Sequence, residues 1–157
     1  MAQDDVRELY KLHREGADKY TYFLLAVAAS AVAFAIQKTE SATFTWWLVP
    51  MGFAVLSFGL SFVFGVLTLI RVNAAIGANY QLLQLHAGLH QDQPSMPDEL
   101  QAAKTGVARG IAHSSTRAKK YTDRQFWWLI AGAVFFVAWH VLQIYLRTAG
   151  AAVVVVY

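Results

Sequence analysis

Three long uncharged stretches set the hydrophobic pattern of this chain. They cover 20–37, 44–70 and 126–146, and none contains Asp, Glu, Lys or Arg. An α-helix rises 1.5 Å per residue, so each stretch is long enough to cross a hydrocarbon core of about 30 Å. Uncharged runs of this length are not typical of the cores of soluble proteins. The pattern predicts an all-α integral membrane protein with three transmembrane helices.

Helical periodicity continues outside these stretches. Apolar residues recur at helical spacing after position 71 and predict that the second helix continues to about His90. Two prolines within 91–97 then break the helix, and Ser95 with Asp98 resembles a capping box that starts a new helix near Met96. We therefore expect a helical hairpin that leads into the third span.

The two ends of the chain complete the predicted organisation. An apolar stripe in 1–19 predicts an N-terminal helix that leads into the first span. Gly150 is expected to end the last helix and to leave an external apolar tail over 147–157. The chain is thus interpreted as one membrane domain, 1–157, with a helical cytoplasmic extension made of the N-terminal helix and the hairpin 71–125.

Basic residues are divided unevenly between the connections. Lys and Arg number four before the first span, one in 38–43, seven in 71–125 and one after the third span. Because three spans alternate sides, eleven bases face one side and two face the other. The positive-inside rule predicts an inner-membrane protein with its N-terminus and the hairpin in the cytoplasm and its C-terminus outside. Aromatic pairs mark the span ends as interfacial rings do: Tyr20 and Tyr22, Trp46 and Trp47, Trp127 and Trp128.

Composition narrows the classes of function. Hydrophobic residues make up 57% of the 157 residues and charged residues only 15%, with a net charge of +3. This small basic excess does not form the stripe that a nucleic-acid-binding protein needs, so no nucleic-acid partner is expected. The absence of cysteine excludes disulfides, thiolate nucleophiles and Cys-ligated zinc. Four bases against five acids in 1–19 argue against a signal peptide, so the first span is expected to be a retained anchor.

Small residues form three candidate helix-packing faces in the first two spans. Helices in lipid associate through close packing of such residues, since lipid gives little hydrophobic drive. A central helix with small residues on two sides can pack on both neighbours, or on one neighbour and a second copy of the chain. The three faces are Ala26, Ser30 and Ala33 in the first span, Ser57, Ser61 and Gly65 in the second, and Gly52 and Gly59 nearly opposite.

His140 and Gln143 are polar residues inside the third span. An ionisable residue in a membrane is a functional candidate by default. Three interpretations stay open for His140: an interhelical hydrogen bond, a proton or ion pathway, and axial ligation of a haem or chlorin. No second histidine stands in another span, so no cofactor is assigned.

Two further groups of side chains are candidate contacts. His86 and His90 have the i, i+4 spacing of a metal site, but H-x-x-x-H here lacks the glutamate of a metalloprotease, and we expect a solvated face rather than a metal. Basic residues just before the third span are predicted to contact anionic lipid headgroups: Arg117, Lys119, Lys120 and Arg124.

The sequence contains no catalytic signature such as a nucleophile elbow, a P-loop or a dinucleotide fingerprint. The leading hypothesis is a non-catalytic inner-membrane protein that acts by assembly, as a homo-oligomeric scaffold or as an accessory subunit of a larger membrane complex. The alternatives are a channel or pore-forming effector and a haem- or pigment-binding subunit that uses His140.

Overall fold

The computed structural model describes residues 2–40 and 45–154, with side chains for 8, 12, 15–40 and 45–148. Over these residues the protein is all-helical, as the sequence predicts. Helix α1 is Ala2–Thr39, a short 3₁₀ turn covers Trp46–Leu48, α2 is Val49–Ala87, and α3 is Pro97–Val154. Within them, three segments are long and apolar enough to cross a membrane: Glu15–Thr39, Trp46–Ala87 and Pro97–Thr148.

Local chemistry explains the break between α2 and α3. Gly88 has a φ of 72°, and the N–H of Leu89 donates to the carbonyl of Gln84 at 3.0 Å, which is the hydrogen bond of a Schellman cap. The helix therefore ends at Ala87, before the predicted end at His90. Helix α3 begins with Pro97, whose missing N–H costs nothing in the first turn. The residue before the first helical residue is Met96, so Ser95 is not the N-cap that we predicted.

The connection between α1 and α2 is only partly described, because residues 41–44 lie outside the described ranges. Thr45 is extended, and the N–H of Leu48 donates to its carbonyl at 2.9 Å to close the 3₁₀ turn. Pro50 follows in the first turn of α2, where a proline is tolerated. The predicted start of the second span at Phe44 falls on the undescribed residues.

The end of α3 differs from the expectation. The helix continues through Gly150 to Val154, so this glycine does not end it. A single glycine costs about 1 kcal/mol in a helix and does not by itself prevent continuation. Residues 155–157 of the predicted tail lie outside the described ones, as do the side chains of 149–157.

The chain divides into two compact units, and α2 and α3 contribute residues to both. The first unit comprises Met1–Val63 and Arg124–Tyr157. Its core contains Ala35, Met51 and Trp139, which places one buried residue from each long helix together. In the same unit, the ring of the buried Phe58 on α2 lies directly against Gly132 on α3.

The second unit comprises Phe64–Asp123. The ring of Phe64 stacks on the ring of Tyr121 with centroids 6.1 Å apart, and the hydroxyls of Thr68 and Thr122 lie 3.5 Å apart. At the α2–α3 connection, the side-chain amide of Gln93 donates to the carbonyl of Leu85 at 3.3 Å. The first two contacts join α2 to the N-terminal half of α3, and the third joins α2 to the connection between the two helices.

Replacing Gly132 with alanine tests the close approach of α2 and α3. A Cβ at this position would lie 2.6 Å from two ring carbons of Phe58, so the buried ring has to move. We expect Gly132→Ala to destabilise the protein by about 1–3 kcal/mol, the usual cost of overpacking. Thermal unfolding in detergent measures the effect. Gly110→Ala is the matched control in the same helix, because nothing lies within 4 Å of its Cβ position; equal melting temperatures for the two variants would contradict the packing.

Candidate functional site

A buried polar contact joins α2 to α3 inside the first unit. The hydroxyl of Ser61 donates to the backbone carbonyl of Gln125 at 2.8 Å, and both residues are fully buried. The side-chain amide of Gln125 has no hydrogen-bond partner for either its oxygen or its nitrogen among the described residues. Sequence analysis identified Ser61 but did not identify Gln125, which lies next to the predicted start of the third span.

The two small-residue faces of α2 have different surroundings. Ser57, Ser61 and Gly65 are buried within the chain. The opposite face remains open, since nothing lies within 4 Å of a Cβ built on Gly52 or Gly59. Exposed residues one turn away extend that face into a stripe, which we call the α2 open stripe: Gly52, Leu56, Gly59 and Val63.

The small residues of α1 also lie on the outside. Ala26, Ser30 and Ala33 are exposed, and they do not form the packing face of α1 within the chain. The buried face of α1 is offset around the helix and consists of Thr21, Leu24, Leu25, Ala28 and Ala35. The exposed set, which we call the α1 open face, is therefore available to another helix.

A cleft of about 630 Å³ lies between the C-terminal ends of α1 and the third span. We call it the α1–α3 cleft. Aromatic rings contact one another along its wall. The ring centroid of Phe136 lies 5.8 Å from that of Phe34 and 5.9 Å from that of Trp139. The full apolar wall consists of Phe34, Leu48, Phe136, Trp139 and Ile144.

Four polar side chains line the same cleft. His140 and Gln143 are there, which brings the two predicted intramembrane polar residues into one site, with the His140 ring 6.5 Å from that of Trp139. Lys38 from α1 and Arg147 from α3 also line it. The ammonium group of Lys38 lies 5.4 Å from the ring centroid of Phe34, a cation–π distance. No carboxylate is among the described residues that line this cleft.

The sequence did not predict that the bases Lys38 and Arg147 line the same cleft. Lys38 and Arg147 are separated by more than a hundred residues, and each was counted only as an isolated charge on the less basic side. The count of basic residues in each connection did contain a signal, because Lys38 and Arg147 are the two bases that it assigns to the less basic side of the membrane. Spacing along the chain carries no information on which helix ends meet.

The histidine pair does not keep its expected geometry. His86 lies in the last turn of α2, whereas His90 follows the end of the helix and accepts a hydrogen bond from the N–H of Asp92 at its Nδ1, at 3.2 Å. The helix ends at Ala87, so the i, i+4 argument for a shared face does not apply. Across the part of the chain that the structure describes, no three His, Cys, Asp or Glu side chains form a candidate metal group.

The predicted headgroup contacts are exposed on α3. Arg117, Lys119, Lys120 and Arg124 all present their side chains to the surroundings. Exposure is necessary for a lipid contact and does not establish one. Their role as anionic-lipid contacts stays a prediction.

Comparison of this chain with protein-family models, with curated proteins and with solved structures finds no match.

Two buried serines in α2 allow a matched test of the α2–α3 contact. Ser61→Ala removes the hydrogen bond between helices, and we expect a loss of about 0.6–1.7 kcal/mol, the range for interhelical hydrogen bonds in membranes. Ser57→Ala is the control, because the Ser57 hydroxyl donates at 2.7 Å to Phe53 of its own helix. Thermal unfolding in detergent compares the two. A larger loss for Ser57→Ala than for Ser61→Ala would show that the contact between helices contributes little.

Proposed function

We propose that this protein is a membrane protein that acts by assembly, either as a homo-oligomeric scaffold or as an accessory subunit of a larger complex. The α1 open face and the α2 open stripe carry this proposal. Their small residues take no part in packing within the chain. In a bilayer, small residues allow helix backbones to approach closely, and this close approach drives association.

The low burial of the spans supports the same proposal. In the most apolar 18-residue window of each span, 22%, 33% and 6% of the residues are buried within the chain. Three helices that pack so little on each other leave most of their surface to lipid or to other helices. Lipid covers a surface of large apolar side chains well, whereas a groove at Gly52 and Gly59 fits the ridge of another helix.

The pore alternative receives less support from the positions of the hydroxyl groups. A water-filled pore needs a continuous polar lining. Ser57 and Ser61 are buried, and both hydroxyls donate to carbonyl groups within the chain. A pore lined by this face of α2 would require α3 to move away and the hydrogen bond between Ser61 and Gln125 to break.

The proposal includes an orientation, with the N-terminus and the hairpin in the cytoplasm of an inner membrane. Eleven Lys and Arg residues on one side against two on the other support it. The exposed Trp46 and Trp127 stand near the ends of the predicted spans, as interfacial aromatic residues do, and they are compatible with either orientation.

Single cysteines test the orientation, because the natural chain has none. Thr45→Cys and Ser95→Cys place a thiol at exposed positions on either side of α2. We expect a membrane-impermeant maleimide to label Thr45→Cys in intact spheroplasts and Ser95→Cys only after permeabilisation. The reverse pattern would show that the orientation is inverted, and labelling of both variants in intact spheroplasts would show that the second helix does not cross the membrane.

A leucine at Gly59 tests the assembly. Its side chain would hold an approaching backbone away from the α2 open stripe, and we expect Gly59→Leu to reduce association at least tenfold. Analytical ultracentrifugation in matched-density detergent measures the particle mass for a homo-oligomer, and co-purification from membranes measures a complex with other subunits.

Two controls separate association from folding. Gly59→Ala keeps the groove nearly open and should retain association. Val63→Leu adds one methylene at an exposed position of the same stripe and should have a smaller effect than Gly59→Leu. If Gly59→Leu leaves both the mass and the set of co-purified proteins unchanged, the α2 open stripe is not an assembly surface.

A further inference from the structure

The α1–α3 cleft combines two kinds of surface that an amphiphile requires. Its walls are apolar and largely aromatic, and its lining includes the two bases Lys38 and Arg147. Lys38 lies in the last turn of α1, and Arg147 lies at the end of the third apolar span. The apolar part of the cleft thus continues toward the interior of the bilayer, while the cations lie where the hydrocarbon ends.

The meeting of Lys38 and Arg147 in one cleft is informative because so few basic residues are assigned to their side of the membrane. A base in the last turn of a helix, such as Lys38, is often explained by the helix dipole, and a base at the end of an apolar span, such as Arg147, by its reach toward headgroups. Neither explanation places them in the same cleft. Lys38 and Arg147 are the two bases on the side that otherwise carries none, and both line one cavity.

The balance of charge within the cleft favours an anion. Two side chains with fixed positive charge line it, and no carboxylate does so among its described lining residues. Glu40 follows Lys38 by two residues and is exposed outside the cleft. A guanidinium group binds phosphate through two parallel hydrogen bonds, and an ammonium group adds a point charge. Gln143 adds an amide N–H₂ donor.

We propose that the α1–α3 cleft binds one anionic phospholipid. The phosphodiester contacts Lys38 and Arg147, and one acyl chain lies against Phe34, Phe136 and Ile144. A free inorganic phosphate would leave the apolar walls without a partner. A zwitterionic lipid has the same phosphodiester, but its choline cation would be repelled by the two bases. This proposal requires that the spans cross a bilayer, and it does not depend on assembly.

Native mass spectrometry of the full-length, delipidated protein tests the proposal. The probes are phosphatidylglycerol and phosphatidylcholine with identical acyl chains, added alone and in competition. We expect one phosphatidylglycerol to be retained for each chain, with at least tenfold preference over phosphatidylcholine. Removing both charges with Lys38→Gln and Arg147→Gln should weaken phosphatidylglycerol binding about 30-fold, roughly fivefold for each base.

Two double variants serve as controls. Lys104→Gln with Arg109→Gln removes the same types of charge from another part of α3 and should retain the preference. Lys38→Arg with Arg147→Lys keeps both charges in the cleft and should also retain it. Loss of binding in the first control to the same extent as in the cleft variant would mean that net charge, and not the cleft, attracts the lipid.

Soluble and coloured probes distinguish other occupants. Glycerol 3-phosphate at millimolar concentration should not displace the phospholipid; displacement would identify a site for small anions and overturn the lipid assignment. Haem should not compete with phosphatidylglycerol. Competition accompanied by a shifted Soret band that disappears in His140→Ala would assign the cleft to haem, and equal retention of the two phospholipids would overturn the proposal directly.

Discussion

Hydrocarbon offers no hydrogen bond to a peptide group or a hydroxyl, and this constraint explains most of the structure. Each apolar segment is helical, because a helix satisfies its backbone groups internally. The buried hydroxyl groups follow the same rule. Those of Thr21, Ser57 and Thr68 donate to carbonyls one turn back in their own helices, and that of Ser61 donates to Gln125 on α3. Three of these four buried hydroxyls thus bond within their own helix, and one joins two helices.

The same constraint gives small residues their importance. When polar side chains satisfy themselves locally, they contribute little to holding helices together, and close packing has to do so. Inside the chain, Phe58 fits against Gly132, where any larger residue would collide with the ring. On the outside, Gly52 and Gly59 provide a groove of the same kind with no partner within 4 Å. Small residues thus allow the close packing of α2 on α3 at Gly132, and they leave another face of α2 open at Gly52 and Gly59.

The sequence predicts the helices far better than their contacts. Length and hydropathy are sufficient to predict three long apolar helices, and the prolines at 94 and 97 are sufficient to predict the hairpin. Both predictions succeed because these signals are local in the sequence. The end of α2 was predicted three residues too late, since apolar periodicity continues past Gly88 whereas the backbone does not. Periodicity predicts that Ala26, Ser30 and Ala33 share one face of α1, but it does not determine whether that face points inward, and all three side chains are exposed. The meeting of Lys38 with Arg147 depends on the packing of α1 against α3, which no local pattern contains.

Gln125 adds an energetic cost to the contact between α2 and α3. A fully buried amide without partners costs about 1–3 kcal/mol for each unsatisfied group, because separation of the helices would return it to a polar environment. Gln125 stands outside the uncharged stretch 126–146 and follows the exposed Arg124, so a separated α3 would place its amide beside a charged side chain and not in hydrocarbon. The Ser61 hydroxyl bonds only the backbone carbonyl of Gln125 and leaves the amide without a partner among the described residues. Close packing of α2 on α3, such as that of Phe58 on Gly132, therefore has to offset this cost.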